Sequence, residues 1–233
     1  MYVMDKKVYI GYDIREDIAY QVSKFSIQSK SKNISVEPLK LNELREKNLY
    51  WRDEDKLGST EFTFSRFLIP ELNDFNGWAL FCDCDLLFLE DVNKLFDFAD
   101  DKYAVMCVKH DYNPKEGQKM DGRIQSLYPR KNWSSVVLWN CSHPSNKKVT
   151  KELINHPDTT GKYLHRFSWL SDDCIGSIPH QWNWLVGWYN EPKDGSPSAI
   201  HYTEGGPWFE NYRFCDYHQQ WKDFLIKMML DKI

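Results

Sequence analysis

Two aspartates stand directly after an apolar run in the middle of the chain. The run is Trp78 to Cys82, it follows Gly77, and Asp83 and Asp85 come at its end. It is typical of a fully buried strand, and at a strand end the backbone can turn both carboxylates towards one point. Burying two unpaired carboxylates costs free energy, so a cation is expected there.

A hard divalent metal would neutralise Asp83 and Asp85, and such metals commonly keep substrate phosphates as further ligands. In an open α/β sheet, ligands bind outside the carboxyl ends of the strands. The spacing therefore favours a metal–phosphate site. The alternative is a polar turn with two solvated aspartates, because a motif of two acids is short and common.

The first part of the chain predicts the strand–helix–strand opening of a doubly wound α/β fold. Lys7 to Asp13 is typical of a first strand that ends in a Gly and an Asp, and an amphipathic helix follows it. Val36 to Leu39 predicts a second strand, in which Pro38 indicates a sheet edge or a strand end.

The segment before the central strand carries one arginine among apolar residues. Phe64, Phe67 and Leu68 have helical spacing, and Pro70 is expected to end that helix. Arg66 beside them, taken alone, favours a surface arginine whose stem covers apolar groups. The functional interpretation is a guanidinium that contacts a phosphate or a sugar.

Further elements complete the predicted sheet. Apolar runs predict strands at Leu86 to Leu89, Ala104 to Val108 and Val136 to Trp139. Ser134 and Ser135 before the last of these are either turn formers or hydrogen-bond partners of sugar hydroxyls. The polar segment 109–131 is long for a loop and is interpreted as a functional or mobile cover over an acceptor.

Two later segments carry further candidate site residues. Ser171, Asp172 and Asp173 predict a helix start with a Ser cap and two first-turn acids, although one acid beside a reacting sugar is the functional alternative. His201 ends a strand-like run and precedes the pair Gly205 and Gly206. A neutral imidazole suits manganese, and paired glycines let backbone amides approach a phosphate.

Aromatic and helical segments close the chain. An aromatic cluster around Trp182 and Trp184 is expected to be mostly core, with one face lining an acceptor groove. The C-terminal segment predicts an amphipathic helix with Trp221, Met228 and Met229 on one face, packed back onto the domain.

Composition narrows the possible partners and compartment. The 233 residues carry 30 Lys and Arg against 34 Asp and Glu, a net charge of −4, which argues against nucleic-acid binding. The six cysteines form no zinc pattern and are interpreted as buried thiols in a reducing compartment. The sequence shows no signal segment and no membrane-spanning run, so a cytoplasmic protein is expected, with peripheral membrane contact left open.

With these pieces in order, the chain resembles the glycosyltransferase family 8-like enzymes of GT-A fold. The resemblance covers roughly Val8 to Trp208. It rests on six motifs in sequence order, namely VYIGYD, TFSRFLIPEL, FCDCDLLFL, NWSSVVLWN, LSDDCIGSIP with a following WNW, and HYTEGGPW. It implies a single GT-A domain over residues 1–233, a Rossmann-like mixed sheet flanked by helices. About 1–90 would bind the nucleotide sugar, and about 91–233 would bind the acceptor and include the C-terminal helix.

The resemblance also implies residue roles on the donor side. The nucleotide base would be held near Gly11, Tyr12 and Asp13, and Arg66 would contact the donor phosphate or sugar. Donor sugar hydroxyls would meet Ser134 and Ser135, and the diphosphate would lie near Gly205 and Gly206. The metal, Mn²⁺ or Mg²⁺, would be held by Asp83, Asp85 and His201, and through it Asp83 and Asp85 would hold the diphosphate.

Two departures from the family pattern affect the charge and the reaction centre. Gly206 stands where the family often has a Lys that neutralises the diphosphate, so Arg15, Arg66 or a loop Lys must substitute. Ser171 to Asp173 replaces the family's Asp-Gln-Asp, which leaves open whether Asp172 or Asp173 faces the anomeric carbon as the catalytic residue.

The expected function is transfer of a hexose from a nucleoside diphosphate donor, a UDP-sugar, to a glycan or other hydroxyl acceptor. The resemblance implies retention of configuration and a place in polysaccharide biosynthesis. A front-face route needs no dedicated base, whereas a double displacement would need a nucleophile, for which Asp173 is the candidate. The alternatives are a sugar-phosphate nucleotidyltransferase and a non-catalytic carbohydrate-binding domain.

Overall fold

A computed structural model describes residues 6–53, 59–111 and 130–231. The strands are β1 Lys6–Gly11, β2 Ile34–Leu39, β3 Trp78–Cys82, β4 Leu86–Phe88, β5 Val105–Cys107, β6 Val136–Asn140, β7 Ile175–Ser177, β8 Trp184–Leu185 and β9 Ala199–His201. The helices are α1 Asp17–Gln28, α2 Leu41–Glu46, α3 Ile69–Leu72, α4 Asn93–Phe96, α5 Lys151–Asn155, α6 Gly161–His165 and α7 His218–Leu230.

The strands form one large mixed sheet and one small sheet. The large sheet has the order β2-β1-β3-β6-β5-β7, and the small sheet has the order β4-β9-β8. β1 is parallel to β2 and β3, whereas β6 runs antiparallel to β3 and β5. The predicted mixed α/β sheet is therefore confirmed, and Pro38 lies on an edge strand, where its missing N–H is tolerated.

Burial on both faces of the large sheet explains why the central strand, β3, has an uninterrupted apolar sequence. Ala79 to Cys82 are all fully buried, because helices and loops cover both faces of the sheet. A second apolar cluster joins α1, β4, β9 and α7 through Val22, Leu87, Ile200 and Trp221. The small sheet and the C-terminal helix thus pack together against α1.

Two predicted elements differ from the structure. Pro70 does not end a helix: Ser65–Leu68 is a short 3-10 turn, and Pro70 lies in the first turn of α3, where proline needs no hydrogen-bonded N–H. The helix predicted from Ser171 is only a 3-10 turn, Asp172–Cys174, followed by β7. The residues after this turn pair with β5 as a strand, although Ser171 and the two acids that follow it are typical of a helix start.

The C-terminal helix and the cysteines largely follow expectation. Trp221 and Met228 of α7 are buried as predicted, but Met229 is 59% exposed and lies off the buried face. All six cysteines are free thiols, and Cys82 and Cys84 are buried. Within the described residues, no helix is both long enough and apolar enough to cross a membrane.

Candidate metal centre

Asp83, Asp85 and His201 converge in the folded chain. Each side chain offers one ligand atom, and these atoms all lie within 4.8 Å of one another. His201 Nε2 lies 3.3 Å from Asp85 Oδ1. The side chain of His201 is nearly fully buried, while those of Asp83 and Asp85 are partly open. Residues that are far apart in the sequence therefore form one compact donor set.

The sheet topology accounts for this convergence. Asp83 follows β3, and its N–H donates to the Ser135 carbonyl at 2.9 Å, which extends the pairing of β3 with β6. The chain then turns into β4 in the small sheet, where Leu86 pairs with His201. The Tyr202 N–H donates to the Asp85 carbonyl at 3.0 Å. The crossing from one sheet to the other thus places both carboxylates beside the end of β9.

Asn183 fixes the orientation of the His201 ring. His201 Nδ1 lies 2.8 Å from Asn183 Oδ1. Asn183 Nδ2 donates to Ser135 Oγ at 2.8 Å, and Ser135 Oγ donates to the Asn132 carbonyl at 2.6 Å. In this series of hydrogen bonds the Asn183 amide nitrogen is the donor, so Asn183 Oδ1 is an acceptor that faces His201 Nδ1. Nδ1 of His201 therefore carries a hydrogen. Nε2 then presents its lone pair to the carboxylates, as in a metal-ligating histidine whose other nitrogen is held by an outer partner.

Arg66 is buried beside the carboxylates rather than exposed. Its Nη1 donates to Asp83 Oδ1 at 2.7 Å and to the Ser134 carbonyl at 3.1 Å. The guanidinium carbon lies 4.9 Å from the centre of the Phe62 ring and 5.1 Å from that of Phe81. The surface interpretation favoured by its sequence position is therefore wrong, because aromatic faces and Asp83 together hold the charge inside.

The donor set fits a divalent cation. Two carboxylates and one imidazole offer the oxygen and nitrogen ligands that Mg²⁺, Mn²⁺ and Zn²⁺ accept. His201 Nε2 points towards the two carboxylates. A polar turn with two solvated aspartates would not need a histidine in this orientation. Asp83, Asp85 and His201 can therefore hold a metal ion.

Glu16 is a further acid near this cluster. It lies in the 3-10 turn Ile14–Glu16 after β1, and it is almost completely buried. Burial, followed by the negative charges of Asp85 and Asp13, raises the pKa of Glu16 to about 8. A buried carboxyl with such neighbours stays protonated near neutral pH unless a cation offsets the negative charges around it.

The residues after β1 form a closed hydrogen-bonded turn. Asp13 is fully buried and accepts hydrogen bonds from the backbone N–H groups of Arg15 and Glu61 and from the Arg15 guanidinium. Burial alone would raise the pKa of Asp13, but these bonds hold it below its ordinary value. The Tyr12 hydroxyl donates to Asp17 at 2.8 Å. Asp13 thus anchors the turn against the segment that leads to Arg66.

A cavity of about 690 Å³ opens beside this turn. Its lining includes Tyr12, Arg15, Lys40, Arg45 and Thr60. Aromatic faces and three cationic side chains are features that an anionic ligand with a planar ring would use. Among the described residues that line this cavity, none is a candidate metal ligand: Asp83, Asp85 and His201 all lie outside it.

Asp172 and Asp173 lie in a different setting. Both are exposed in the turn that leads into β7, and Asp172 forms an ion pair with Arg130. A hydrogen bond from Ser171 lowers the pKa of Asp173. The structure therefore places this acidic pair at the surface, held by local partners.

The two glycines after β9 are required by aromatic neighbours. Gly205 has a φ of +139°, and a Cβ on it would lie 2.6 Å from the Tyr212 ring. A Cβ on Gly206 would lie 2.1 Å from the Trp208 ring. Packing alone thus accounts for both glycines, and the backbone of this turn follows directly on His201.

Comparison with known proteins shows the family to which the chain belongs. A scan against protein-family models finds no match. The chain is 53% identical over 220 residues to Protein CDI of Arabidopsis thaliana, which covers 92% of this chain and 84% of that protein. The chain belongs to the Protein CDI family. The chain is also 24% identical over 194 residues to General stress protein A of Bacillus subtilis (strain 168). That match covers 70% of this chain and 65% of that protein.

Solved glycosyltransferases share the fold. The glycosyltransferase GlyE of Streptococcus pneumoniae TIGR4 has a TM-score of 0.64 at 15% identity, over 95% of this chain and 60% of GlyE. The bifunctional glycosyltransferase WbbM has a TM-score of 0.65 at 16% identity, over 97% of this chain and 50% of WbbM. The galactosyltransferase LgtC, solved with donor and acceptor sugar analogs, has a TM-score of 0.56 at 10% identity, over 95% of both chains. The predicted GT-A fold is confirmed.

Three site residues were not predicted from the sequence. Asn183 stands inside the WNW motif, whose polar centre between two buried tryptophans was the available signal. Glu16 follows the end of β1 by only a few residues, a position where polar groups often reach a site. His165, which lies against Ser134, gave no signal in the sequence. Most of the segment 109–131, interpreted as an acceptor cover, lies outside the described residues.

Proposed function

We propose that the chain is a metal-dependent glycosyltransferase that moves a hexose from a UDP-sugar to a glycan or other hydroxyl acceptor. The observation that carries the proposal is the convergence of Asp83, Asp85 and His201 at the end of β3 in a GT-A fold. The ordered motifs support a relationship to glycosyltransferase family 8. GlyE, WbbM and LgtC are themselves glycosyltransferases, which supports the same reaction class.

The metal site is the centre of the proposed chemistry. Asp83, Asp85 and His201 would hold Mn²⁺ or Mg²⁺, which would supply Lewis-acid stabilisation of a leaving diphosphate when bound. Asn183 keeps the His201 ring in the ligating tautomer, and Arg66 fixes the Asp83 carboxylate by a direct hydrogen bond. These residues hold their geometry before any ligand arrives, so little reorganisation is needed.

The proposed nucleotide site is the cavity next to β1. Tyr12 and Arg15, which line it, would hold the base and its attached groups, and Gly11 and Asp13 would support them from the end of β1 and from the turn that Asp13 anchors. The lining carries Arg15, Lys40 and Arg45 beside the acids Asp53 and Glu61, and the three cations would supply charge that the missing Lys before Pro207 would otherwise give.

The proposed sugar and diphosphate contacts lie around the carboxylates. Ser134 and Ser135 adjoin Asp83 through its hydrogen bonds to Arg66 and to the backbone, which supports a role with donor sugar hydroxyls. The turn at Gly205 and Gly206 follows His201 directly, which supports a role near the diphosphate.

The acceptor side of the proposed site includes the two exposed acids before β7. Asp172 and Asp173 are proposed as the catalytic pair near the anomeric carbon, with retention of configuration, and their exposure leaves them accessible to an acceptor. Residues up to about 90 are proposed as the donor half and about 91–233 as the acceptor half. The reaction is proposed to occur in the cytoplasm, within polysaccharide biosynthesis, and the six free thiols support a reducing compartment.

Release of nucleoside diphosphate from a panel of nucleotide sugars tests this function. Each donor is incubated with the protein in Mn²⁺ and in chelator, and Asp83→Ala is compared with the exposed control Asp97→Ala. Metal-dependent release from one donor, lost in Asp83→Ala and kept in Asp97→Ala, is the expected result. Pyrophosphate as the product would replace the proposal with a nucleotidyltransferase. Sugar binding without release, unchanged by chelator and by Asp83→Ala, would replace it with a carbohydrate-binding domain.

A further inference from the structure

Two aromatic rings in the wall of the cavity beside β1 each have an arginine over them. Phe64 and Tyr50 line the cavity, and both side chains are almost fully buried. The guanidinium carbon of Arg52 lies 3.9 Å from the centre of the Phe64 ring, and that of Arg45 lies 5.9 Å from the centre of the Tyr50 ring. Among the described residues that line the cavity, Arg45 is present and Arg52 is not. Arg52 therefore supports the wall from behind.

The Arg52 guanidinium is fixed by three backbone carbonyls. Nη1 donates to the carbonyls of Ile154 at 3.1 Å and His156 at 2.8 Å, and Nη2 donates to the carbonyl of Thr159 at 2.9 Å. The first two of these carbonyls lie at the C-terminal end of α5, where a cation is favourable. Because the guanidinium is planar, three bonds in fixed directions also set its plane against Phe64.

Asn155 holds the backbone of the same segment. Its Oδ1 accepts the N–H groups of Trp51 at 2.7 Å and Arg52 at 2.9 Å. Its Nδ2 donates to the carbonyls of Leu49 at 3.1 Å and Lys151 at 2.8 Å. The buried amide thus uses both of its hydrogens and both lone pairs of its oxygen. We call the bonds of Arg52 and Asn155 together the Arg52–Asn155 clamp.

The clamp acts on several side chains that line the cavity. Arg45 Nη2 donates to the Arg52 carbonyl at 3.3 Å, so the clamped backbone also holds this second guanidinium. Tyr50 and Asp53 stand on either side of the clamped residues in the sequence, and both line the cavity. Phe64 is held directly by the stacked guanidinium. One wall of the cavity therefore depends on bonds to α5, an element that does not itself line the cavity.

From this arrangement we infer that Arg52 is a positioning residue for the nucleoside part of the donor. It holds Phe64 and Arg45 in place before a ligand arrives, so that these side chains need not be ordered during binding. The inference rests on the proposed function, under which this cavity is the nucleotide site, and it deepens that function by naming the wall that meets the nucleoside. Loss of the clamp is expected to weaken nucleotide binding about 10-fold, the cost of ordering one or two side chains.

The clamp can be measured without any ligand. Amide hydrogen exchange of the ¹⁵N-labelled protein reports whether the Trp51 and Arg52 N–H groups are held by Asn155. Both amides are expected to exchange slowly in the parent and rapidly in Asn155→Ala. Rapid exchange of both amides in the parent would overturn the inference.

Nucleotide affinity separates positioning from general damage to α5. Calorimetry measures UDP binding in Mn²⁺, and Mn²⁺ binding alone, for the parent, Arg52→Met, Asn155→Ala and Glu71→Ala. Glu71 Oε2 accepts the Lys151 N–H at 2.5 Å at the other end of α5, so Glu71→Ala loosens the same helix without touching the clamp. Arg52→Met and Asn155→Ala are each expected to bind UDP about 10-fold more weakly, with Mn²⁺ affinity unchanged. Glu71→Ala is expected to bind UDP as the parent does.

A double-mutant cycle tests whether Arg52 acts through Phe64. Phe64→Leu is expected to weaken UDP binding in the parent background and to weaken it much less in Arg52→Met, because the ring has already lost its support there. Arg52→Lys keeps a donor for the carbonyls after α5 and is expected to restore part of the UDP affinity. Fully additive losses for Arg52→Met and Phe64→Leu would overturn the inference.

The remaining outcomes distinguish the inference from the function on which it rests. Unchanged UDP affinity in folded Arg52→Met and Asn155→Ala, or an equal loss in Glu71→Ala, would overturn the inference while the proposed function would stand. A parent that binds no UDP would overturn the proposed function, and the inference with it. Asn155→Ala leaves the guanidinium in place and decides the question if Arg52→Met does not fold.

Discussion

Two arginine–aspartate pairs in this molecule use the same residue types in opposite settings. Arg66 and Asp83 are joined by a 2.7 Å contact, with side-chain exposures of 6% and 15%. Arg130 and Asp172 also form an ion pair, but their side-chain exposures are 22% and 86%. In the first pair, Arg66 lies against two aromatic rings and Asp83 is a candidate metal ligand; in the second pair, Asp172 is exposed beside β7.

The difference shows that burial, and not the acidic motif alone, determines what an arginine–aspartate pair contributes to the fold. A buried ion pair loses hydration, so breaking it leaves an uncompensated charge, whereas a surface pair is screened by water. Both pairs include an aspartate from a short acidic motif, Asp83 with Asp85 and Asp172 with Asp173. Only the first motif is brought together with a histidine by sheet pairing. The two regions should therefore respond very differently to the same substitution.

The largest contrast is expected in stability. Arg66→Met should lower the free energy of unfolding by about 3 to 5 kcal/mol, because it leaves Asp83 without its buried partner. Arg130→Met should change the same quantity by at most about 1 kcal/mol. Urea unfolding of both variants in chelator measures this. Equal losses in the two variants would mean that the pairs do not differ in the way their burial indicates.

A smaller effect is expected for the buried acid next to the cluster. The pKa of Glu16 is raised from 4.5 to about 8, so the folded state holds a proton that the unfolded state releases. This contribution to stability is full below about pH 4.5 and is lost as the pH rises through about 8. Between pH 5 and 8.5 the parent should lose a few kcal/mol in chelator, at about 1.4 kcal/mol per pKa unit.

Glu16→Gln should remove most of that loss. The exposed Glu46→Gln is the control and should keep the slope of the parent. Urea unfolding at several pH values provides the measurement. A Glu16→Gln slope identical to that of the parent would show that Glu16 titrates normally in the folded chain.

The outer partner of the metal site is expected to have a moderate effect. Asn183→Ala removes the acceptor that holds His201 Nδ1, so Mn²⁺ affinity should fall about 10- to 100-fold. The exposed Asn190→Ala should bind Mn²⁺ as the parent does. Calorimetric titration compares them, and unchanged affinity in Asn183→Ala would exclude Asn183 from metal binding.

The smallest structural effect is expected at the exposed acids. Asp172→Asn should change the free energy of unfolding by at most about 1 kcal/mol and leave Mn²⁺ affinity unchanged, since the Asp172 side chain is 86% exposed. Turnover of Asp172→Asn and Asp173→Asn should fall nonetheless, because both are proposed near the anomeric carbon. Full turnover in both variants, measured with the donor and acceptor, would remove them from the catalytic set.

Local pattern was enough to predict most of the strands and to select Asp83, Asp85 and His201 as candidate metal ligands. β3 is a buried central strand with an uninterrupted apolar sequence, and Asp83 and Asp85 mark its end. His201 could be selected because it ended a strand-like run and preceded two glycines. These signals are local, and buried strands and their ends carry them strongly.

The remaining site residues depend on contacts that local sequence does not encode. The burial of Arg66 results from Phe62, Phe81 and Asp83, and the last two lie in another element. The segment from Asp172 became a turn and an edge strand because β5 offered a pairing partner, which a helix-start signal cannot report. His165 and Asn183 act through long-range hydrogen bonds.

The proposed function depends above all on binding of a divalent metal by Asp83, Asp85 and His201. Mn²⁺ titration followed by electron paramagnetic resonance tests it most directly, on the parent, Asp85→Asn and the surface control Asp172→Asn, with circular dichroism to verify folding. We expect saturable binding of one Mn²⁺ by the parent and by Asp172→Asn, and a loss of that binding in Asp85→Asn. Equal binding by a folded Asp85→Asn, or none by the parent with and without UDP, would contradict it.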